Sequence, residues 1–158
     1  MSVLFTRRSD TLASHPGQIS FPGGQIDNHD TDAIHTALRE AEEEVGIGRG
    51  LVTIAGTLSR YRTGTGFEIT PVVGFVSGKA ELRPNSDEVA AIFEVPLPYL
   101  LERRNYRRIQ QRHGLVSAWF HQIEFPPHTI WGATAAILVN LRKRVAREWA
   151  KGTETAAI

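Results

Sequence analysis

The sequence predicts a single α/β domain. Two segments, 31–45 and 133–149, repeat apolar residues at the spacing of an amphipathic helix. The segments around them are rich in β-branched and aromatic residues and are separated by Gly and Pro, which is typical of strands joined by turns. A chain of 158 residues is long enough for one domain with a substantial core. We expect the domain to cover residues 1–152 and residues 153–158 to form a flexible tail.

Strands are predicted on both sides of the first helix from short runs of β-forming residues. Residues 7–30 are expected to form a long functional loop, and the Thr-Gly-Thr-Gly run at 63–66 a flexible break. A short helical turn is expected at residues 99–102. The predicted strands are residues 3–6, 51–61, 70–76, 80–81, 91–95 and 116–123.

The first helix has a core-facing side and residues that set its ends. Asp30, Thr31 and Asp32 supply N-cap and first-turn chemistry, and Gly46 or Gly48 can end the helix. One side of the helix therefore packs against the core. The apolar residues on that side are Ile34, Leu38, Ala41 and Val45.

The opposite side of this helix carries a cluster of acids. At about 100° per residue, Glu40, Glu43 and Glu44 share roughly a third of the helix circumference. Like charges at this spacing destabilise a helix by about a few tenths of a kcal/mol per pair. A divalent cation removes that cost, because Mg²⁺ accepts oxygen ligands. The alternative is a solvated acidic face on a surface helix, which the three acids alone would favour.

A glycine turn before the helix changes that balance. Residues 21–24 read Phe-Pro-Gly-Gly, and the two glycines let the backbone approach an ion or a phosphate closely. Turn, polar loop and acidic helix together resemble the Nudix box, G-x5-E-x7-R-E-U-x-E-E-x-G-U, in which U is aliphatic. The matching residues are Gly24, Arg39, Glu40, Ala41, Glu43, Glu44, Gly46 and Ile47.

One position departs from the box. Asp30 stands where the pattern has Glu, and eight residues rather than seven separate it from Arg39. We therefore expect the loop to bulge by one residue. We also expect the shorter acid to orient Arg39 less directly.

Segments outside the box resemble the coenzyme A pyrophosphatase branch of this family. The signature of that branch runs L-L-T-x-R-[SA]-x3-R-x3-G-x3-F-P-G-G, and it is matched here by Leu4, Thr6, Arg8, Ser9, Gly17 and the Phe-Pro-Gly-Gly turn. Phe5 replaces the second Leu, and Ala13 replaces the second Arg. Residues 85–89 and 130–135 are also similar to this branch, so the resemblance extends from residue 3 to about residue 142.

The resemblance implies a Nudix fold, an α/β/α sandwich with a mixed central sheet, and a metal-dependent pyrophosphohydrolase. The implied substrate is coenzyme A or an acyl-coenzyme A, cut within its diphosphate to 4′-phosphopantetheine and adenosine 3′,5′-bisphosphate. One alternative is hydrolysis of another nucleoside diphosphate derivative, such as a nucleotide sugar or a damaged nucleotide. Another is a Nudix-like module that binds its ligand without turnover, against which the intact glutamates argue. Ala13 bears on coenzyme A specificity more than on hydrolysis.

The same resemblance implies roles for individual residues. Arg39 would orient the acids of the box. A general base must take the proton of the attacking water. Glu88, in the loop before a predicted strand, is the first candidate, and Glu40 is the second. The implied ligands of Mg²⁺ or Mn²⁺ are Glu40, Glu43, Glu44 and the carbonyl of Gly23.

Substrate contacts are expected from two regions. Arg8, Ser9 and Gly17 belong to the upstream motif, and Arg8 and Ser9 are the candidates for a phosphate site. Tyr61 and Phe67 flank the glycine-rich break and are candidates for contacts with an adenine ring or an acyl group. The expected place of the other large aromatic residues is the core: Trp119, Phe120 and Trp131.

Charge and composition narrow the range of partners. The net charge is +1, so overall charge does not point to nucleic acid or membrane, and no apolar run is long enough to span a bilayer. The absence of cysteine excludes disulfides, zinc–thiolate sites and a cysteine nucleophile, and it fits a cytoplasmic enzyme. An arginine-rich run at residues 103–112 could meet a terminal phosphate or leave nucleic acid as a minor partner. The alternative is a solvated face around a loop.

The start of the chain bears on its assembly. The related branch normally has a hydrophobic strand before the one predicted at 3–6, and only Met1 and Ser2 precede that strand here. Either the start is truncated or the sheet lacks a strand. A missing strand would leave an unpaired edge, which invites pairing with another chain. We therefore expect an edge through which a homodimer could form.

Overall fold

The computed structural model describes residues 1–113 and 116–155. The helices in this part of the chain are α1 (Ala33–Val45), α2 (Leu97–Leu101) and α3 (Gly132–Thr155). Short 3₁₀ turns lie at Arg49–Leu51 and Arg103–Asn105. None of the described helices combines the length and the apolar character needed to cross a membrane. The strands are β1 (Ser2–Arg8), β2 (Ile19–Ser20), β3 (Val52–Thr57), β4 (Tyr61–Arg62), β5 (Glu68–Ile69), β6 (Val72–Val76), β7 (Val89–Pro96), β8 (Tyr106–His113), β9 (Val116–Phe125) and β10 (His128–Trp131).

These strands pair in small sheets. The described residues form two three-stranded sheets, ordered β2-β1-β7 and β10-β9-β8, and two pairs, β3-β6 and β4-β5; every pairing is antiparallel. β1 pairs with β7 along its length, but on its other side only Thr6 and Arg7 pair with β2. Residues 2–5 therefore have one edge without a strand partner in the described part of the chain, where the sequence predicts an exposed edge.

The core lies where β1, β7, β9 and β10 meet α2 and α3. Phe5 stacks against Phe21 and Phe93, with ring centroids 5.1 and 5.5 Å away. Because Phe21 opens the glycine turn, core packing fixes the position of that turn. The largest side chains of this core with less than 2% of their surface exposed are Phe5, Leu100, Ile123, Ile130, Leu138 and Val95. Val45 of α1 is equally buried outside this cluster.

Both long helices and most of the predicted strands are confirmed, but four observed strands, β2, β5, β8 and β10, are not predicted from the sequence. β8 has the sequence Tyr-Arg-Arg-Ile-Gln-Gln-Arg-His. Because it contains so few apolar residues, it shows no alternating apolar pattern from which a strand could be predicted. It is held by antiparallel pairing with β9, from Tyr106 opposite Ile123 to His113 opposite Val116. The interpretation of residues 103–112 as a loop is therefore wrong for most of the run.

Three other element predictions need correction. The strand predicted at residues 80–81 is wrong, because these residues pair with no described strand. The strand predicted at 51–61 is divided into β3 and β4. The predicted loop at 7–30 contains the end of β1 and all of β2.

Candidate active site

Helix α1 is fixed at both ends by local hydrogen bonds. The carboxylate of Asp32 accepts from the backbone N–H of His35 at 2.8 Å, and it caps the N-terminus. Gly46 ends the helix in the left-handed conformation, with φ of 76°. The capping role predicted for Asp32 and the termination at Gly46 are confirmed.

Arg39 lies at the centre of a network of acids. Its Nη1 donates to the carboxylates of Glu40 and Glu43, both at 2.9 Å. Its Nη2 donates to Asp30 Oδ2 at 2.9 Å and to the carbonyl of Gln25 at 3.1 Å, and its Nε donates to Asp30 Oδ1 at 3.2 Å. The hydrogen bonds from Arg39 hold the pKa of Asp30 well below its usual range. Asp30 therefore holds Arg39 with both oxygens, and the expectation of a less direct contact is wrong.

Glu44 is the buried carboxylate of the site, with 4% of its surface exposed. Its pKa is raised to about 7, chiefly by burial and then by the charges of Glu40 and Glu88. The pKa of Glu44 is lowered in part by a hydrogen bond from the backbone N–H of Gly23 and by the charge of Arg8. The structure thus brings together five residues that the sequence analysis selected from four separate segments.

Backbone hydrogen bonds hold the loop of Glu88 against the end of α1. The N–H of Asn85 donates to the carbonyl of Glu44 at 2.9 Å, so an open carbonyl of the helix end anchors the loop. The N–H of Glu88 donates to the carbonyl of Asn85 at 3.0 Å, and the carbonyl of Glu88 accepts from the N–H of Ser9 at 2.8 Å. The box, the Glu88 loop and the upstream motif are therefore joined through their backbones.

The glycine turn leaves room for the carboxylate of Glu40. A Cβ atom at Gly24 would lie 2.2 Å from Glu40 Oε1, which is far inside van der Waals contact. Glycine therefore lets the Glu40 carboxylate lie directly against the backbone. The pKa of Glu40 is raised, chiefly by burial, although its bond with Arg39 lowers it.

Arg8 and Ser9 stand at the end of β1. The pairing of β1 with β7 is irregular between Arg7 and Arg8, which alters the direction of the strand at this point. The Nε of Arg8 is buried and has no hydrogen-bond partner among the described residues. The hydroxyl of Ser9 shares a hydrogen bond of 2.8 Å with that of Thr11. Arg8 therefore has donor capacity left for a ligand.

Gly17 shapes the loop of the upstream motif. It adopts φ of 67°, and a Cβ there would lie 3.0 Å from Asp10 Oδ1. Asp10 in turn pairs with Arg7 at 2.9 Å. The structure places Gly17 beside this ion pair, so its surroundings favour a backbone role.

Tyr61 and Phe67 do not lie in the same surroundings. Tyr61 lines a cleft of about 290 Å³ with Trp119, Phe120 and the first turns of α3. Phe67 lies in the β4–β5 region with 60% of its surface exposed. Trp119 is 57% exposed and lies 5.1 Å from the guanidinium of Arg108, so its predicted place in the core is wrong. The tryptophan is on the open part of β9, which the strand pattern alone does not reveal.

A second cleft, of about 370 Å³, opens beside the box. It is lined by residues 25–28 together with Arg39 and Glu40. Residues 25–28 belong to the predicted functional loop at 7–30, but none of them is among the predicted site residues. Their position directly after the glycine turn is the signal that could have indicated them.

The carboxylates fit a divalent cation by their chemistry. Mg²⁺ and Mn²⁺ bind oxygen ligands. A cation would relieve the repulsion from Glu40 and Glu88, which adds to the effect of burial on the pKa of Glu44. Glu40 and Glu43 are turned toward Arg39. In the part of the chain that the structure describes, no group of three or more His, Cys, Asp or Glu side chains is arranged to hold a metal ion. Arg39 contacts only one oxygen of each carboxylate, so the other oxygen of Glu40 and of Glu43 can turn toward a cation beside Glu44 while both contacts with Arg39 are kept.

Known proteins are similar to this chain in sequence. A family model described as the NUDIX domain matches residues 1–138. The chain is 41% identical over 149 residues to the uncharacterized Nudix hydrolase NudL of Pectobacterium atrosepticum, covering 91% of this chain and 75% of the relative. It is 42% identical over 149 residues to the protein of the same name from Photorhabdus laumondii, covering 91% and 77%.

Solved structures share the fold. A C. elegans Ap4A hydrolase in a binary complex has a TM-score of 0.52 and 17% identity, covering 61% of this chain and 70% of that one. A MutT protein from Methanosarcina mazei has a TM-score of 0.50 and 23% identity, covering 63% and 70%. The predicted Nudix α/β fold is confirmed.

The box residues, the family model and the relatives all indicate the same protein family. Nudix hydrolases generally use divalent metal ions and act on small nucleoside diphosphate compounds. The chain belongs to the Nudix family and is a pyrophosphohydrolase that acts on phosphorus-containing anhydrides.

Proposed function

We propose that this pyrophosphohydrolase cleaves the diphosphate of coenzyme A or an acyl-coenzyme A, releasing 4′-phosphopantetheine and adenosine 3′,5′-bisphosphate. One observation carries the proposal: Arg8 of the upstream motif lies close enough to the buried Glu44 of the box to lower its pKa. Ser9, the next residue, donates its N–H to the carbonyl of Glu88 at 2.8 Å. The motif that resembles the coenzyme A branch therefore adjoins the carboxylates that resemble the catalytic box.

The carboxylates and the glycine turn would hold Mg²⁺ or Mn²⁺. When bound, the cations would neutralise the diphosphate, polarise a phosphoryl oxygen and lower the pKa of a bound water. The part of Arg39 is to hold Glu40 and Glu43 at the site, because it donates to both carboxylates at 2.9 Å. The proposed ligands are Glu40, Glu43, Glu44 and the carbonyl of Gly23.

Glu88 is the proposed general base. Its carboxylate would accept a proton from water, while the water oxygen bonds to phosphorus and the anhydride P–O bond breaks. Support comes from the backbone, since both the N–H and the carbonyl of Glu88 are hydrogen bonded and fix the loop. Glu40 is the second candidate. Its hydrogen bond with Arg39 leaves it less free to take a proton.

Substrate binding is assigned to the two predicted regions. Arg8 would bind a phosphate group through its guanidinium, whose buried Nε has no partner in the described residues. Ser9 supplies a hydroxyl beside it, and Gly17 shapes the loop around both. The cleft that Tyr61 lines suits an adenine ring or an acyl group because its walls are aromatic. Phe67 does not line this cleft, and its exposed ring is proposed as a separate contact for the adenine ring or the acyl group.

Another nucleoside diphosphate derivative, such as a nucleotide sugar or a damaged nucleotide, is the second candidate substrate. Ala13 favours it, because the upstream motif lacks the arginine that the coenzyme A branch has at this place. A module that binds its ligand without turnover is the third candidate. The intact triad of Glu40, Glu43 and Glu44 argues against that module.

A substrate panel tests these candidates. Coenzyme A, acetyl-coenzyme A, ADP-ribose, a nucleotide sugar and an oxidised nucleotide are incubated with Mg²⁺ or Mn²⁺, and the products are separated by chromatography. Release of 4′-phosphopantetheine with the highest kcat/KM supports the proposal. A higher kcat/KM for ADP-ribose or for a nucleotide supports the second candidate, and binding without product supports the third.

We also propose a cytoplasmic homodimer. The cysteine-free sequence fits the cytoplasm, and the free edge at residues 2–5 could pair with a second copy. Sedimentation velocity of the purified chain measures its mass in solution. A single-chain mass at micromolar concentration would contradict the dimer.

A further inference from the structure

His35 joins the start of α1 to the turn that follows the helix. Its Nε2 lies 2.8 Å from Nη1 of Arg49, which belongs to the 3₁₀ turn at Arg49–Leu51. Its Nδ1 is buried and lies 3.1 Å from Oδ1 of Asp30. The approach to Asp30 is off the line of a good hydrogen bond, so the contact is mainly between a ring N–H dipole and a carboxylate charge.

The neighbour at Nε2 determines which ring nitrogen of His35 carries the proton. A guanidinium can only donate, so Nε2 must accept from Arg49 with its lone pair. The neutral ring then carries its hydrogen on Nδ1, which faces the carboxylate of Asp30. A cationic ring would place a second N–H against the guanidinium. The contacts therefore select the neutral Nδ1–H form.

Asp30 is where this pair meets the box. Its side chain has no exposed surface, and both of its oxygens accept from Arg39. Its Oδ2 also accepts from the backbone N–H of Asp27 at 2.9 Å. Asp30 is shorter than the glutamate of the family pattern and lies one residue farther from Arg39. His35 therefore gives Asp30 an additional contact, at an acid with a shorter side chain than the glutamate of the family pattern.

We propose that His35, held as its Nδ1–H form by Arg49, is a positioning residue that fixes Asp30 and, through it, the guanidinium of Arg39 between Glu40 and Glu43. The effect on hydrolysis rests on the proposed function. The expected form of the His35 ring and the expected effect on metal binding do not depend on the proposed function. The helix cap is a separate matter, because it uses only the backbone N–H of His35, which every substitution except proline retains.

The form of the ring is read directly by long-range ¹H–¹⁵N NMR of the full chain labelled at histidine nitrogen, recorded at about pH 8. We expect the His35 ring to be neutral, with its proton on Nδ1, and to leave that form in Arg49→Ala. His35→Leu assigns the signal by its disappearance. A proton on Nε2 in the wild-type protein, or no change in Arg49→Ala, would overturn the proposal.

The positioning role is read by comparing His35→Leu with His35→Asn. Leucine fills the space but cannot donate, whereas the asparagine amide can donate to Asp30 in place of Nδ1. We expect His35→Leu to weaken Mn²⁺ binding by about 10-fold, as measured by electron paramagnetic resonance. We also expect it to lower kcat by about 10-fold with little change in KM. We expect His35→Asn to restore most of both.

His29→Ala is the matched control, because His29 is exposed and lies in the loop just before the helix. It should match the wild-type protein in both measurements. Equal losses in the leucine and asparagine variants, or no loss in either, would reject the positioning role. If no substrate in the panel is hydrolysed, the Mn²⁺ affinities and the NMR signal still decide this inference separately from the proposed function.

Discussion

The backbone N–H of Asn85 donates to the carbonyl of Glu44 at 2.9 Å, so the last turn of the carboxylate helix anchors the loop that carries Glu88. Glu44 is also the carboxylate whose pKa the charge of Glu88 helps to raise. Glu44 and Asn85, which are 41 positions apart in the chain, thus meet at one point. This junction connects the box to the Glu88 loop, which is not part of the box motif.

The first prediction concerns the proposed metal ligands. Glu43→Gln and Glu44→Gln should each lower kcat by about 100-fold or more at saturating Mg²⁺, because each removes a charged ligand but little volume. Steady-state kinetics with the best substrate of the panel measures the effect. Glu148→Gln is the control, since Glu148 pairs with Arg144 near the C-terminal end of α3, on a different helix from the box, and it should keep wild-type kcat. A wild-type kcat in Glu43→Gln or Glu44→Gln would remove that residue from the ligand set.

The second prediction concerns pH. The pKa of Glu44 is raised from 4.5 to about 7, so folding favours its protonated form. This contribution to stability is complete below about pH 4.5 and is lost as the pH rises through about 7. The metal-free wild-type protein should therefore lose stability relative to Glu44→Gln between pH 5 and pH 8, by on the order of a few kcal/mol. Urea unfolding in EDTA at several pH values measures the difference, and a constant difference would show that Glu44 does not titrate in this range.

The third prediction concerns substrate choice. Arg8→Ala should raise KM for coenzyme A more than KM for ADP-ribose, since loss of a charge-assisted phosphate contact costs about 1.5–3 kcal/mol. Kinetics with both substrates measures the two ratios. An equal rise for both would reject a specific role for Arg8. Ala13→Arg restores the family pattern and should lower KM for coenzyme A; an unchanged KM would show that Ala13 is not the missing determinant.

The fourth prediction concerns the base. Glu88→Gln should lower kcat by about 10²–10⁴ with little change in KM, because it removes the proton acceptor and keeps the backbone bonds of the loop. It should also flatten the acidic limb of the pH–rate profile. Glu81→Gln, at an exposed position before the same loop, serves as the control. If Glu88→Gln retains both kcat and the acidic limb, the base lies in the box and Glu40 becomes the leading candidate.

The fifth prediction concerns the glycine turn. Gly24→Ala should displace the carboxylate of Glu40, because the new Cβ would lie 2.2 Å from its Oε1. The displaced atoms end a flexible side chain, so we expect a large fall in kcat with a small change in Tm. Gly48→Ala is the matched control, because a Cβ at Gly48 meets no atom within 4 Å. Wild-type kcat in Gly24→Ala would mean that the precise position of this carboxylate is not needed.

Local features such as helix bounds and caps were predictable, because they depend on residues that are contiguous in the sequence. The helix predicted at 31–45 is observed at Ala33–Val45, with its cap at Asp32 and its end at Gly46. β8 was not predictable in the same way. Its arginines and glutamines carry no strand pattern, and its pairing with β9 holds it in the sheet. The exposure of Trp119 also depends on its surroundings, since an aromatic residue in a strand pattern can face either the core or a cleft.

The sequence by itself determined the family, the acidic helix and the identity of most candidate site residues, because helical period and motif spacing are properties of neighbouring residues. Only the tertiary structure decided that Arg8 and Glu88 lie near enough to Glu44 to alter its pKa, and that His35 reaches both Asp30 and Arg49. The physical reason is that these contacts join segments far apart in the chain. Their formation depends on strand pairing, on the packing of Phe5 with Phe21, and on the free carbonyls at the end of α1.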